Sequence, residues 1–113
     1  MKNMIEKGNG ANMAVIEVNK DNFQKEVLES EKTVLVDFWA DWCGPCRMLS
    51  PLVDQIAEEK TDIKVCKINV DANHELAAQF KVMSIPTLIV FKEGKEVNRS
   101  LGAVPKNQIL ALL

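Results

Sequence analysis

The hydrophobic residues of this chain fall into runs that alternate between strand-like and helix-like spacing. Residues 33–40 are mostly β-branched, aliphatic or aromatic, a run too continuous for a half-exposed strand, so we predict a central strand covered on both faces. The only charged residue in this predicted strand is Asp37. Four further strands are predicted, the last two joined by a tight turn into an antiparallel hairpin: 14–18, 63–70, 87–91 and 96–101.

Apolar residues recur at helical spacing between these strands. The longest helical pattern runs from about Cys43 to Lys60, with Pro51 predicting a kink. Its predicted inner side comprises Met48, Leu49, Leu52, Val53, Ile56 and Ala57. The shorter helices are predicted around residues 23–28 after a cap at Asn19 or Asp21, at 76–80 after a cap at Asp71 or Asn73, and from Pro105 onward. The element order predicts an α/β domain in which helices cover both faces of a mixed sheet.

Composition and charge narrow the possible classes of protein. The 113 residues fit one domain, and 47% hydrophobic with 27% charged residues is typical of a globular protein. A net charge of −2 gives no basis for binding nucleic acid or an anionic membrane. Residues 1–13 are polar and lack the apolar run of a signal peptide. We expect them to be a flexible extension, with one domain over residues 14–113 and a cytoplasmic location.

Residues 42–46 (WCGPC) lie where the central strand stops and the longest helix begins. Cys43 and Cys46 are three positions apart, so they lie on one face of the helix, close enough to form a disulfide. The start of the helix supplies unpaired backbone N–H groups and the positive end of the helix dipole. Both favour a thiolate, above all at Cys43. Pro45 fits the first turn and stiffens the loop, whereas Gly44 leaves room for a partner's backbone. This arrangement predicts a dithiol that cycles with its disulfide.

This pair belongs to a set of short motifs that occur in a fixed order along the chain. The motifs are 36–40 (VDFWA), 42–46 (WCGPC), Pro51, 67–71 (KINVD), 85–87 (IPT), 91–94 (FKEG) and 101–103 (LGA). With them, the chain resembles the thioredoxin family from about Ala14 to its C-terminus. The resemblance implies the thioredoxin fold, a central mixed sheet of about five strands flanked by four helices.

The resemblance also implies an activity, protein-disulfide reduction. Cys43 is then the nucleophile that attacks a substrate disulfide, and Cys46 resolves the mixed disulfide. The protein binds no cofactor itself and receives electrons from NADPH through thioredoxin reductase. Its expected partners are this reductase and disulfide-containing proteins, and we expect a monomer.

Asp37 lies six residues before Cys43 on a strand expected to be buried. A buried carboxylate is usually a paired structural group, and that interpretation stands for an unknown fold. By resemblance, Asp37 instead manages the proton of the resolving Cys46. Burial raises the pKa of such a group and suits a general base near neutrality. Lys67 matches a family lysine near this carboxylate and is expected to offset the rise.

The remaining predicted site residues form a docking surface for substrate. Sequence alone predicts a trans bond between Ile85 and Pro86, but the resemblance implies a cis-proline loop against the disulfide. The backbone of Ile85 can then pair with an extended substrate segment. Trp42, Ile85 and the Gly102 loop form an apolar rim around Cys43. The predicted substrate-binding set is Trp42, Gly44, Pro45, Ile85, Pro86 and Gly102.

Two other interpretations of the cysteine pair stay open. A disulfide oxidase or isomerase would use the same exchange chemistry, although Gly-Pro between the cysteines adds no imidazole or charge and favours a reductant. A metal-binding module would need more ligands, and Cys66 and His74 are the further candidates. We expect Cys66 to be a small buried hydrophobe, His74 to be exposed, and Trp39 to be a core residue near the active loop.

Overall fold

The computed structural model describes residues 12–113, so most of the predicted N-terminal extension lies outside the described residues. Its five strands are β1 (Val15–Glu17), β2 (Thr33–Trp39), β3 (Ile63–Asn69), β4 (Thr87–Lys92) and β5 (Lys95–Leu101). They form one sheet in the order β1-β3-β2-β4-β5. The first three strands in this order are parallel, and β4 and β5 are antiparallel to their neighbours. The predicted mixed sheet and its hairpin are therefore confirmed.

The helical segments are a single turn of π-helix (Gln24–Leu28), α1 (Gly44–Glu59), α2 (His74–Gln79) and α3 (Lys106–Leu112). All four predicted helical regions are present, but the first is only one turn long. Phe23, directly before the π-helical turn, has no side-chain capping bond. The side chain of Asn19 accepts hydrogen bonds from the backbone N–H groups of Asp21 and Asn22, as an N-cap residue does, so it caps the turn that leads into this segment. Asn73 precedes α2 without a side-chain capping bond, since its amide donates to the carbonyl of Asn69 instead.

Alternate residues of the strands supply two separate cores. On one face, Val34, Val36 and Phe38 of β2 pack with the π-helical turn and α2, around a group of three contacting aromatic rings. On the other face, Leu35 packs against α1 and α3. The five central residues of β2 are all buried, which confirms the prediction of a strand covered on both sides.

One prediction for α1 is wrong. Met48, which we expected on the inner side, is 72% exposed, whereas Leu49 is fully buried. Leu49, Val53 and Ile56 form the buried stripe at the i, i+4, i+7 spacing of one helix face. Met48 precedes that stripe by about 100° of helical rotation, which turns its side chain to solvent.

Candidate active site

The two cysteines lie at the junction of β2 and α1. Cys43 is the N-cap residue of α1 with an extended backbone, and Cys46 lies in the first turn. They form a disulfide with their Cα atoms 5.2 Å apart. The Sγ of Cys43 accepts a hydrogen bond of 3.2 Å from the backbone N–H of Cys46. This sulfur therefore takes the place that a capping oxygen takes in other helices.

The residues between the cysteines follow the rules for a helix start. Pro45 occupies the first turn, where its missing N–H leaves no helical bond unmade. A Cβ added to Gly44 would meet no atom within 4 Å, so the space beside the disulfide is open. Gly44 therefore adds no side chain to the space beside the disulfide.

A second loop contacts Cys43 from the sheet side. The bond between Ile85 and Pro86 is cis, as the resemblance implies. The carbonyl oxygen of Ile85 lies 3.8 Å from the Sγ of Cys43. Gly102 donates its backbone N–H to the carbonyl of Pro86 at 2.8 Å, and its φ of +85° favours glycine at this position. The structure thus brings three of the predicted docking residues to the same side of the disulfide.

Both tryptophans lie near the disulfide, with different exposure. Trp42 is 68% exposed, and its indole N–H donates to Oδ2 of Asp71 at 2.9 Å. Trp39 is half-buried and packs against the cluster formed by Ala40 and the two cysteines. The sequence predicts Asp71 only as a possible helix cap and gives no indication of its contact with Trp42. Asp71 thereby holds the indole of Trp42, the residue before Cys43 in the chain, in one orientation.

Asp37 lies on β2 beneath α1 and lines a cavity with Cys46. It is 1% exposed, and its Oδ1 has no hydrogen-bond partner among residues 12–113. Burial raises the pKa of the Asp37 carboxyl to about 7, with Lys67 opposing the rise. Asp54 and Glu17 reinforce the rise by charge repulsion. Near neutrality this carboxyl therefore exchanges a proton readily.

A cavity of about 130 Å³ joins Asp37 to the resolving cysteine. Its lining residues are Asp37, Trp39, Ala40, Asp41, Cys46, Arg47 and Ser50. A larger open depression of about 450 Å³ lies at the start of α2 and includes neither cysteine in its lining. The smaller cavity is the one that brings a titratable carboxyl and Cys46 together.

Lys67 pairs with Asp37 in the parallel register of β3 and β2. Its ammonium, however, lies 2.6 Å from Oγ of Ser50 and 3.0 Å from Oδ1 of Asp54, both on α1. Sequence reasoning missed Ser50 and Asp54. The available signal was the spacing of Cys46, Ser50 and Asp54 at intervals of four residues, which puts all three on one helix face.

The residues raised for a metal site do not gather around the disulfide. Cys66 is fully buried in the apolar core, where burial raises the pKa of its thiol to about 12. His74 is exposed at the start of α2. In the part of the chain that the structure describes, no three His, Cys, Asp or Glu side chains are grouped to hold a metal ion. Among the same residues, no helix has the length and apolarity to cross a membrane.

Comparisons with known proteins agree with this geometry. The family model described as thioredoxin matches residues 14–113. A thioredoxin of Pyropia yezoensis is 52% identical over 102 residues, which cover 89% of this chain and 95% of that protein. Thioredoxin 1 of Synechococcus elongatus is 53% identical over 93 residues, covering 81% and 87%. A thioredoxin of Mycobacterium tuberculosis is 52% identical over 98 residues, covering 86% and 84%. The paired cysteines thus lie within a region of strong similarity.

Proposed function

The chain belongs to the thioredoxin family and is a protein-disulfide reductase, and from that premise we propose how its residues divide the reaction. Members of the family are thiol–disulfide oxidoreductases that act without a bound cofactor. The redox group is therefore the Cys43–Cys46 pair itself. In each turnover this dithiol gives two electrons and two protons to a substrate disulfide.

Cys43 is the nucleophile in this proposal. The observation that carries the assignment is the hydrogen bond from the N–H of Cys46 to the Sγ of Cys43, since such a bond and the helix dipole stabilise a thiolate. The thiolate attacks one sulfur of the substrate disulfide. A mixed disulfide forms, the substrate S–S bond breaks, and the other substrate sulfur leaves as a thiolate.

Cys46 then resolves the mixed disulfide with the help of Asp37. The carboxylate of Asp37 takes the proton of the Cys46 thiol through their shared cavity. The Cys46 thiolate attacks the Sγ of Cys43, releases the second substrate thiolate and closes the Cys43–Cys46 disulfide. A pKa of about 7 suits Asp37 to accept this proton near neutral pH and pass it on.

Substrate proteins bind at the rim around Cys43. An extended substrate segment pairs with the backbone at Ile85, beside Pro86, while Trp42 and the Gly102 loop supply apolar contacts. Gly44 leaves space for the substrate backbone, and the partners at this rim are disulfide-containing proteins. Because the rim must be free for them, the working form is a monomer.

The oxidised pair is reduced again by a flavoprotein thioredoxin reductase that uses NADPH. The working compartment is the cytoplasm. Its reducing conditions suit a protein that has a catalytic C-x-x-C and, elsewhere in the core, a buried free thiol at Cys66. Incubation of the oxidised protein with NADPH and a bacterial thioredoxin reductase tests the route. We expect NADPH consumption to stop after one equivalent when no substrate is present. No consumption with reductases from several bacteria would contradict this electron source.

The division of roles is tested by trapping. Cys46→Ser should accumulate substrates as mixed disulfides on Cys43, recovered on non-reducing gels and released by dithiothreitol, because the resolving thiol is missing. Cys66→Ser is the matched control, since it also removes one thiol but should trap nothing. Recovery of equal adducts with Cys43→Ser, or of none with Cys46→Ser, would contradict the assigned roles.

A further inference from the structure

Three charged side chains form a row across the sheet next to the cavity. Glu17 on β1, Lys67 on β3 and Asp37 on β2 are neighbours in parallel register, so their side chains project from the same face of the sheet. Helix α1 covers this face, since Leu49 and Val53 pack against Leu35 of β2. The row therefore places one ammonium between two carboxyl groups, beneath the helix that carries Cys46.

The face of α1 above this row carries polar groups at matching positions. Cys46, Ser50 and Asp54 are spaced four residues apart and lie on one side of the helix. The Lys67 ammonium donates a hydrogen bond of 2.6 Å to Oγ of Ser50, and it forms an ion pair of 3.0 Å with Oδ1 of Asp54 that is a charge contact and not a hydrogen bond. Within residues 12–113 no hydrogen bond or ion pair joins that ammonium to Asp37, whose Oδ1 has no partner. The ammonium therefore binds the helix, although the register places Lys67 beside Asp37.

This position of the ammonium affects Asp37 because charge interactions weaken with distance. The charged groups that shift the pKa of Asp37 are Lys67 from β3, Asp54 from α1 and Glu17 from β1. Asp41 and Arg47 line the cavity that Asp37 shares with Cys46. On its fourth side, β4 contributes the apolar Leu88. Of the three groups that shift this pKa, Lys67 is the only one that favours the carboxylate. An ammonium released from α1 would approach Asp37 and make it a weaker base.

We propose that Asp54, assisted by Ser50, is a positioning residue that holds the Lys67 ammonium on α1 and thereby keeps Asp37 able to take a proton from Cys46. The proposal rests on the role given to Asp37 in the proposed function. Asp54 and Ser50 are helix residues that touch neither the disulfide nor the substrate rim. Asp54 acts through Lys67, and the neutral hydroxyl of Ser50 accepts one hydrogen bond from the same ammonium.

A double-mutant cycle on the reduced full-length protein tests this proposal. The pKa of the Asp37 carboxyl is measured by NMR titration in the parent protein, in Asp54→Asn, in Lys67→Met and in the double variant. We expect Asp54→Asn to lower the pKa of Asp37 enough to weaken proton binding about threefold or more. In the Lys67→Met background the same change should have less than half that effect, because no ammonium is left to release.

Matched variants separate positioning from other effects. Glu59→Gln removes a carboxylate from the same helix and breaks the ion pair with Lys106, so it should leave the pKa of Asp37 unchanged. Asp54→Glu should restore most of the parent value, and Ser50→Ala should lower it less than Asp54→Asn. If Asp54→Asn has no effect on the pKa of Asp37, Asp54 does not control Asp37 and the proposal fails. If the effect keeps more than half its size without Lys67, direct charge repulsion by Asp54 explains it and the proposal also fails.

A kinetic measurement distinguishes failure of this inference from failure of the role of Asp37. In Asp54→Asn, the pH dependence of mixed-disulfide resolution should move to lower pH together with the pKa of Asp37. If the pKa moves and the resolution profile does not, Asp37 is not the base for Cys46 and the proposed role fails, while the control of Asp37 by Asp54 is supported.

Discussion

Cys43 and Cys46 are almost equally buried, at 4% and 3% exposure, yet their surroundings differ completely. Cys43 is bordered by backbone groups: the N–H of Cys46 at one side and the carbonyl of Ile85 at the other. Cys46 instead lines a cavity with a buried carboxyl, Asp37. Burial alone therefore does not distinguish a nucleophile from a resolving thiol. The difference lies in the N–H of Cys46 and the dipole of α1, which favour an anion at Cys43, and in a titratable group that exchanges a proton near Cys46.

The largest expected effect comes from removing the sulfur on the rim. Cys43→Ser should abolish turnover in insulin reduction, because a serine hydroxyl at this position does not attack a disulfide. Cys66→Ser, a second loss of one thiol, should keep turnover within about twofold, since Cys66 lies in the apolar core. Measurable turnover by Cys43→Ser would contradict the role of Cys43 as nucleophile, and with it the contrast between Cys43 and Cys46.

The buried carboxyl of Asp37, beside the cavity, should lower the free energy of unfolding above neutral pH. Its pKa is raised from 3.8 to about 7, so the folded chain binds this proton more tightly than the unfolded chain. The contribution of Asp37 therefore becomes less favourable as pH rises from about 4 to about 7. Asp37→Asn should raise the free energy of unfolding by about 2 kcal/mol near pH 8 and by much less near pH 4. Urea unfolding at both pH values measures the difference, and a gain independent of pH would contradict it.

The smallest expected effect concerns the exposed part of the rim. Trp42→Ala removes a side chain that Asp71 holds beside Cys43, so substrate binding should weaken by about 1 kcal/mol, or about fivefold in KM. The kcat should change little because neither sulfur is moved. Trp42→Phe should keep most of the affinity, and steady-state kinetics with insulin separates KM from kcat. A drop in kcat with KM unchanged would place Trp42 in the chemical steps.

The fold was largely predictable from the sequence because its elements have clear periodicity. The run at residues 33–40 and the pattern of α1 correspond directly to the central strand and the longest helix. Met48 was misassigned because it is next to Leu49 in the sequence and both are apolar. Successive residues of a helix are rotated by about 100°, so only one of such a pair faces the core, and the sequence does not show which one. The sequence also did not predict that the first helical segment is a single π-helical turn, because three apolar residues at helical spacing do not determine the length of a helix.

The site was predictable where it depends on local sequence and not where it depends on register. Cys43 and Cys46 follow from spacing at a helix start, and the burial of Asp37 follows from its strand. The pairing of Asp37 with Lys67 depends on the register of two parallel strands, which no local pattern fixes, and the family resemblance alone placed Lys67 near Asp37. Ser50 and Asp54 read as ordinary polar helix positions until that register brings the Lys67 ammonium to them.

The most direct test of the central claim measures both exchange steps in Asp37→Asn. Stopped-flow tryptophan fluorescence with a disulfide peptide follows attack by Cys43 and resolution by Cys46 as separate phases. We predict that resolution at about pH 7 slows roughly 100-fold because its proton acceptor is lost, while attack changes less than about threefold. Equal slowing of both steps, or unchanged resolution, would contradict the assignment of Asp37 to Cys46.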